Sequence, residues 1–220
     1  MKKKKIIIAI LIMTLLCIIL FICLTLRKVT IMRNISKIAS KYNNYENYYE
    51  KITNTTQKIT TEYYKNGDQT KTIMNRDAGE NSTTITYFNK NGKNNSYYEP
   101  VNGEKKARLN NEGAMLQTNI IVLTFGDNFG YDFYSATKTI IKNTILNGKE
   151  CYLFKDIVYG NYMYIEKDTG LILKMQDGYI SDENNKDTPI IVEYEYKFDT
   201  VTDNDFIEPD ISQYKVEEDN

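Results

Sequence analysis

Ile6-Ile7-Ile8-Ala9-Ile10-Leu11-Ile12-Met13-Thr14-Leu15-Leu16-Cys17-Ile18-Ile19-Leu20-Phe21-Ile22-Cys23-Leu24-Thr25-Leu26 decides how the rest of the chain is read. The stretch carries no charge, no proline and no glycine, and its one mid-run polar side chain, Thr14, can bond back to its own helix. At a rise of ~1.5 Å per residue it reaches roughly 31 Å, the thickness of a bilayer's hydrocarbon core. Everything after it is polar and punctuated by turns. A transmembrane helix carrying one outer domain is therefore expected.

Lys2-Lys3-Lys4-Lys5 gives the run a basic front, as in a signal peptide or a permanent anchor. A cleavable signal has a shorter apolar core, ~7–15 residues, followed by a small-residue cleavage site. Thr25-Leu26-Arg27-Lys28 offers no such site, and neither Cys17 nor Cys23 follows the small residue that a lipoprotein signal needs. A retained anchor over 6–26 is the expectation, with 1–5 as a cytoplasmic tail. Arg27, Lys28, Arg33, Lys37 and Lys41 crowd the other flank, so charge difference alone does not orient the helix. A five-residue basic tail resists translocation, whereas a long domain exports largely regardless of charge. The expected location is the cell membrane, single-pass, with the N-terminus cytoplasmic and the domain outside.

Composition narrows the chemistry. Histidine and tryptophan are absent from the 220 residues, and Cys151 is alone outside the apolar run. Without a histidine to lower its pKa, Cys151 reads as a buried strand residue rather than a nucleophile. From Pro189 to Asn220 ten acids meet two bases, whereas bases outnumber acids from Arg27 to Met115. A polybasic segment beside a bilayer suits an anionic surface, and the same charge also simply solvates a protein face. Nucleic acid is a poor partner for an outer domain that is acidic overall.

Beyond the anchor, Ile31, Ile35, Ile38 and Tyr42 fall at helical spacing, so 27–45 reads as a juxtamembrane amphipathic helix, continuous with the anchor or following a short break at Thr30. The period then drops to 2. Asn66-Gly67-Asp68, Asn89-Lys90-Asn91-Gly92, Asn102-Gly103, Asn147-Gly148 and Asp168-Thr169-Gly170 separate runs rich in Thr, Tyr and Ile, which marks successive hairpins. In Ile190–Phe198, Val192, Tyr194, Tyr196 and Phe198 alternate with Ile191, Glu193, Glu195 and Lys197, as in an antiparallel sheet with one packed face. Ala114–Phe125, with Leu116 and Ile120, is too apolar to face water and reads as a buried helix or irregular plug. The end after Asp199 reads as acidic loop, with 215–220 a tail.

Gly148-Lys149-Glu150-Cys151-Tyr152, then Tyr162-Met163-Tyr164-Ile165-Glu166-Lys167-Asp168-Thr169-Gly170-Leu171, then a Tyr-rich strand, lead to Val201-Thr202-Asp203-Asn204-Asp205-Phe206-Ile207-Glu208-Pro209-Asp210. This order resembles the bacterial lipoprotein-carrier (LolA-like) superfamily, especially its membrane-anchored Gram-positive relatives, over roughly Ile31 to Tyr214. The resemblance implies α+β, with a strongly curved antiparallel sheet, an incomplete β-barrel, wrapped around a helix or apolar plug over 46–214. It also implies a concave apolar face that holds acyl chains. It brings no catalytic motif. Classical carriers are soluble shuttles, whereas this chain keeps its apolar run, so a tethered role is expected rather than transfer.

Candidate sites are few. Asp199, Asp203, Asp205, Glu208 and Asp210 form an acidic cluster, but Pro209 and the missing glycine spoil a calcium loop. Asp182-Glu183-Asn184-Asn185-Lys186-Asp187 fails likewise, with Lys186 where an oxygen ligand belongs. No phosphate loop, nucleophile elbow or dinucleotide fingerprint appears, so no metal, cofactor or catalysis is expected. The expected function is binding of a lipid, acyl chain or lipidated protein on an apolar face made by Val192, Tyr194, Tyr196 and Phe198, shielded by the segment of Leu116 and Ile120. The alternative is a surface protein-interaction or sensor domain without a small ligand.

Overall fold

A computed structural model describes residues 2–77, 82–88, 93–112, 120, 123–126, 128–181 and 187–217. The chain is α+β and forms two compact units, Met1–Ser40 with Val122–Leu171, and Lys41–Ile121 with Ile172–Asn220. The residues expected to make one outer domain, 46–214, are thus shared between two units.

The first unit is built on one helix, α1 (Lys2–Ala39), about 57 Å long and long and apolar enough to cross a membrane. No break occurs at Thr30, whose hydroxyl donates to the Leu26 carbonyl inside the same helix. Thr14 does the same to Ile10, so the mid-run hydroxyl is satisfied without water. Along Ile6–Leu24 the side chains are exposed; at Thr25 exposure falls to 2%, against 52% for its neighbour Leu24. From there Thr25, Val29, Met32, Ile35 and Ala39 form a buried stripe at steps of three and four. The expected stripe shared only Ile35 with this part of the helix, and Ile31 and Ile38 are half-buried. The true stripe is turned toward smaller side chains, because the surface facing it comes very close.

Two elements make that surface. Helix α2 (Phe129–Lys138) is capped by the Asn128 side chain, which accepts from the Tyr131 amide. It is joined to α1 by Arg33 Nε on Asp132 Oδ2 at 2.7 Å and by Lys28 Nζ on the Ala136 carbonyl at 3.2 Å. Its last residues, Thr137 and Lys138, bond back to Tyr134 within the same helix. An antiparallel meander follows: β7 (Thr139–Leu146), β8 (Lys149–Asp156) and β9 (Tyr162–Glu166). Asn147 and Gly148, both at positive φ, make the expected turn between β7 and β8. Cys151 is fully buried on β8, and burial pushes its thiol pKa up. After β9 the chain turns at Gly170, where φ is +71° and a Cβ would lie 2.7 Å from the Ile35 carbonyl oxygen.

Among the described residues the second unit is a sheet of nine strands: β1 (Asn47–Asn54), β2 (Ile59–Asn66), β3 (Gln69–Arg76), β4 (Ser82–Phe88), β5 (Lys93–Pro100), β6 (Lys106–Glu112), β10 (Ile172–Ser181), β11 (Asp187–Phe198) and β12 (Lys215–Val216). Their order is β12-β6-β5-β4-β3-β2-β1-β11-β10, so β12 and β10 end the order and the sheet is not closed within this unit. The pairings among β1–β6, β10 and β11 are antiparallel, as expected. The pairing of β12 with β6 is parallel, which makes the sheet mixed rather than wholly antiparallel. Most of the expected plug, including Leu116, lies outside the described residues; Ile120 is buried, and 123–126 are not helical.

The end of the chain departs most from expectation. Instead of a loose acidic loop, residues 199–217 lie along one face of the sheet and finish as β12. Val201 and Tyr214 are buried there, and Tyr214 joins Tyr87, Tyr97 and Ala107 in an aromatic cluster. Sequence composition signalled solvation; what decides the outcome is that each acid finds a donor.

Substitution Gly170→Ala is expected to destabilise the protein by about 2–4 kcal/mol, from the left-handed backbone and the contact with α1 together. Chemical denaturation measures this; a change below roughly 0.5 kcal/mol would show that the turn does not press on the helix.

Candidate functional site

A second set of polar side chains lies on the sheet face opposite most of the 199–217 segment, and several of them are buried. Cross-strand register aligns its side chains into rungs. One rung reads Tyr196, Glu50, Tyr63, Thr72, Thr86, Ser96 and Arg108 from β11 to β6. The next reads Tyr194, Ile52, Thr61, Met74, Thr84, Tyr98 and Lys106. Polar and β-branched residues dominate the first. The second is mixed, with apolar side chains toward β11 and a cation at β6.

Glu50 is the anomaly of the first rung. It is 3% exposed, and its Oε1 atom has no hydrogen-bond partner. The Tyr196 hydroxyl beside it is likewise shielded and unpartnered at good geometry, as is Thr70 Oγ1. A charge so placed loses its hydration with little return, so burial raises the Glu50 pKa to about 7; the Tyr196 hydroxyl holds it partly down. Glu50 in turn pushes the Tyr63 and Tyr196 hydroxyls up, although burial is the larger cause for both. The cation on the same rung, Arg108, stands five strands away, about 24 Å along the sheet. It does not neutralise the carboxylate.

The second rung is more open. Tyr194, Ile52, Met74, Thr84, Tyr98 and Lys106 are all half-buried, and only Thr61 is fully covered. At its β6 end lies a cleft of about 340 Å³ lined by Thr84, Ser96, Tyr98, Lys106, Arg108 and Glu217. Glu217 accepts from Lys106 Nζ at 2.7 Å and from Arg108 Nε at 3.1 Å, so the chain's own carboxylate occupies the two cations. These two pairs hold the Glu217 carboxyl below its ordinary pKa.

Of the residues singled out from sequence, Val192, Tyr194, Tyr196 and Phe198 share this face. Tyr196 stacks between Tyr194 and Phe198 at 6.2 and 6.4 Å. Val192 is buried, and Phe198 stacks on Tyr42 at 4.5 Å. Ile120 is buried, and Leu116 lies outside the described residues. Sequence reasoning passed over Glu50, Lys106 and Arg108. The alternation Tyr48, Glu50, Ile52 carried the signal for the first, but Tyr49 on the other face made the two faces look alike.

The acidic cluster has structural employment. Asp199 accepts from the Tyr45 hydroxyl, Asp203 from Asn66, and Glu208 from Asn95 and the Tyr97 hydroxyl. Asp205 accepts from the Thr202 amide and hydroxyl, and Asp210 from the Ser212 amide. Among the described residues no group of three or more His, Cys, Asp or Glu side chains is placed to hold a metal ion. The second run considered as a calcium loop, 182–187, lies outside the described residues except for Asp187. No protein-family model matches this chain, and no curated protein matches it either.

Glu50 makes the stability pH-dependent with a definite sign. Its folded pKa, about 7, lies above the ordinary 4.5, so its contribution is full below the lower value and lost as pH rises through the upper. The loss is roughly 3 kcal/mol between pH 5 and 8, a window in which no histidine titrates because the chain has none. Thermal denaturation of the protein and of Glu50→Gln should diverge across this window, with the variant flatter. Parallel curves would show that Glu50 is hydrated in the folded state.

Proposed function

We propose that this chain is a membrane-tethered binding protein without catalysis, anchored by α1 with its remaining residues outside the cytoplasm, that takes a lipid or lipidated protein on the rung running from Lys106 to Tyr194. The observation that carries the reading is the grading of that rung. At one end two cations line a cleft of about 340 Å³; Met74, Ile52 and the Tyr194 ring follow toward the other. An amphiphile has the same order of parts, an anionic head and an apolar tail. Its head would compete with Glu217 for Lys106 and Arg108, exchanging one pair of charge-assisted hydrogen bonds for another. Its tail would gain ~0.8 kcal/mol per buried CH₂, so ten carbons supply about 8 kcal/mol before the costs of binding, and the head contacts with Lys106 and Arg108 add to that.

The order of elements that resembles the lipoprotein-carrier superfamily supports the same reading. One feature modifies it. The face is less apolar than that resemblance implies, with Thr61, Thr84 and Tyr98 set among the apolar residues, so a ligand with polar groups along its length fits better than a bare acyl chain.

Native mass spectrometry of the full chain, purified in detergent from its own membranes, tests the reading. A lipid or lipopeptide should remain bound, and should be lost when Lys106→Glu and Tyr194→Asp are combined in a protein that still melts cooperatively. A chain that carries no such ligand and ignores added lipids would contradict the proposal and favour a protein-interaction or sensor role.

A further inference from the structure

A separate site lies in the first unit, where α1 leaves its apolar stretch. The side chains of Ile6–Leu24 are exposed, and this segment measures about 28 Å, close to the ~30 Å of a hydrocarbon core. If α1 crosses the bilayer, as the preceding reading holds, the polar headgroups begin at the level of Thr25. At that level the protein forms a cleft of about 340 Å³. Phe21 and Leu24 line its lower part, Arg27, Lys28 and Ile31 its upper part, and Ile141, Asn143 and Tyr152 the facing hairpin.

The meander crosses α1 obliquely. Gly170, beyond β9, touches Ile35 and Ala39, whereas Ile141 and Asn143 on β7 share the cleft with Phe21 and Leu24. Strand β7 is therefore the edge nearest the apolar half of the helix. On it Ile140 and Ile145 are left 40% and 70% exposed, apolar side chains that a membrane surface would cover.

The chemistry of the lining is divided in the same direction. Arg27 is exposed with no ion pair among the described residues; Lys28 keeps one bond, to the Ala136 carbonyl, and has further donors to offer. The Asn143 amide and Tyr152 hydroxyl add donors, and no lining residue is acidic. We propose that this cleft binds one anionic phospholipid, its phosphate on Arg27 and Lys28 and the first carbons of its acyl chains on Phe21 and Leu24. A guanidinium offers a phosphate two parallel hydrogen bonds, which a zwitterionic headgroup's own ammonium would oppose. The bound lipid fixes the depth of the helix and the meander at the surface.

The test uses the full chain in nanodiscs of equal parts phosphatidylglycerol and phosphatidylcholine, followed by native mass spectrometry of the lipids retained. The chain is expected to keep phosphatidylglycerol in preference by about tenfold, the worth of one charge-assisted hydrogen bond to a charged group. Arg27→Gln, at an exposed side chain, should abolish most of the preference. Lys5→Gln, the same loss of charge at the other end of the helix, should leave it intact. Equal retention of the two lipids, or equal losses in the two variants, would overturn the site. Alkaline carbonate extraction of the same protein separates this failure from that of the anchor: a chain released by carbonate does not cross the membrane at all.

Discussion

One helix, α1, carries two different surfaces along its length, exposed and apolar up to Leu24 and packed along one stripe from Thr25, and the first unit is built on that change. Up to Leu24 its side chains need only be apolar on every side, and they are. From Thr25 onward the same helix must be amphipathic, with one stripe small and apolar and the remainder charged. The change needs no break in the backbone. It is made by the side chains alone, and the threonines at 14, 25 and 30 turn their hydroxyls back to carbonyls four residues earlier, so none interrupts the helix. The stripe selects its partners by closeness: Ala39 meets a glycine turn, and Asp132, almost wholly buried, is neutralised by Arg33. Removing that arginine would leave a buried carboxylate unpaired, which costs far more than the pair itself contributes.

The second unit answers a different need. A sheet of this size has two faces, and one is covered by the chain's own last residues. The acids there do what acids do at turns and caps, accepting from backbone amides and from tyrosine and asparagine side chains. The other face keeps Glu50, Tyr196 and Thr70 shielded with unmet hydrogen-bonding capacity. Such groups are expensive in a finished core.

Much of this was legible in the sequence, for physical reasons that can be stated. The apolar run, the asparagine–glycine turns at 66–67, 102–103 and 147–148 and the alternation of Ile190–Phe198 are local signals that produced a helix, reversals and a strand, while the expected turn at 89–92 lies outside the described residues. Helix α2 was not legible, because Tyr131, Phe133 and Tyr134 suit a strand as well as a helix and only contact with α1 decides between them. The burial stripe of α1 was misjudged by the width of one residue, since hydrophobicity favours Ile31 and Ile38 while close packing favours Met32 and Ala39. The C-terminal segment looked like loop because acids are counted as solvated until their donors are known. Glu50 was invisible for the opposite reason, a charged residue at a position where alternation allowed either face.

The central claim is that α1 changes environment at Thr25 without changing conformation. Single spin labels placed along residues 6–39 of the full chain in bilayers, with Cys17, Cys23 and Cys151 replaced, measure it directly through collisions with oxygen and with a polar nickel reagent. The account predicts oxygen access around the whole circumference up to Leu24, then a helical period with minima at Val29, Met32, Ile35 and Ala39. A period already present before Leu24, or none after Thr25, would contradict it.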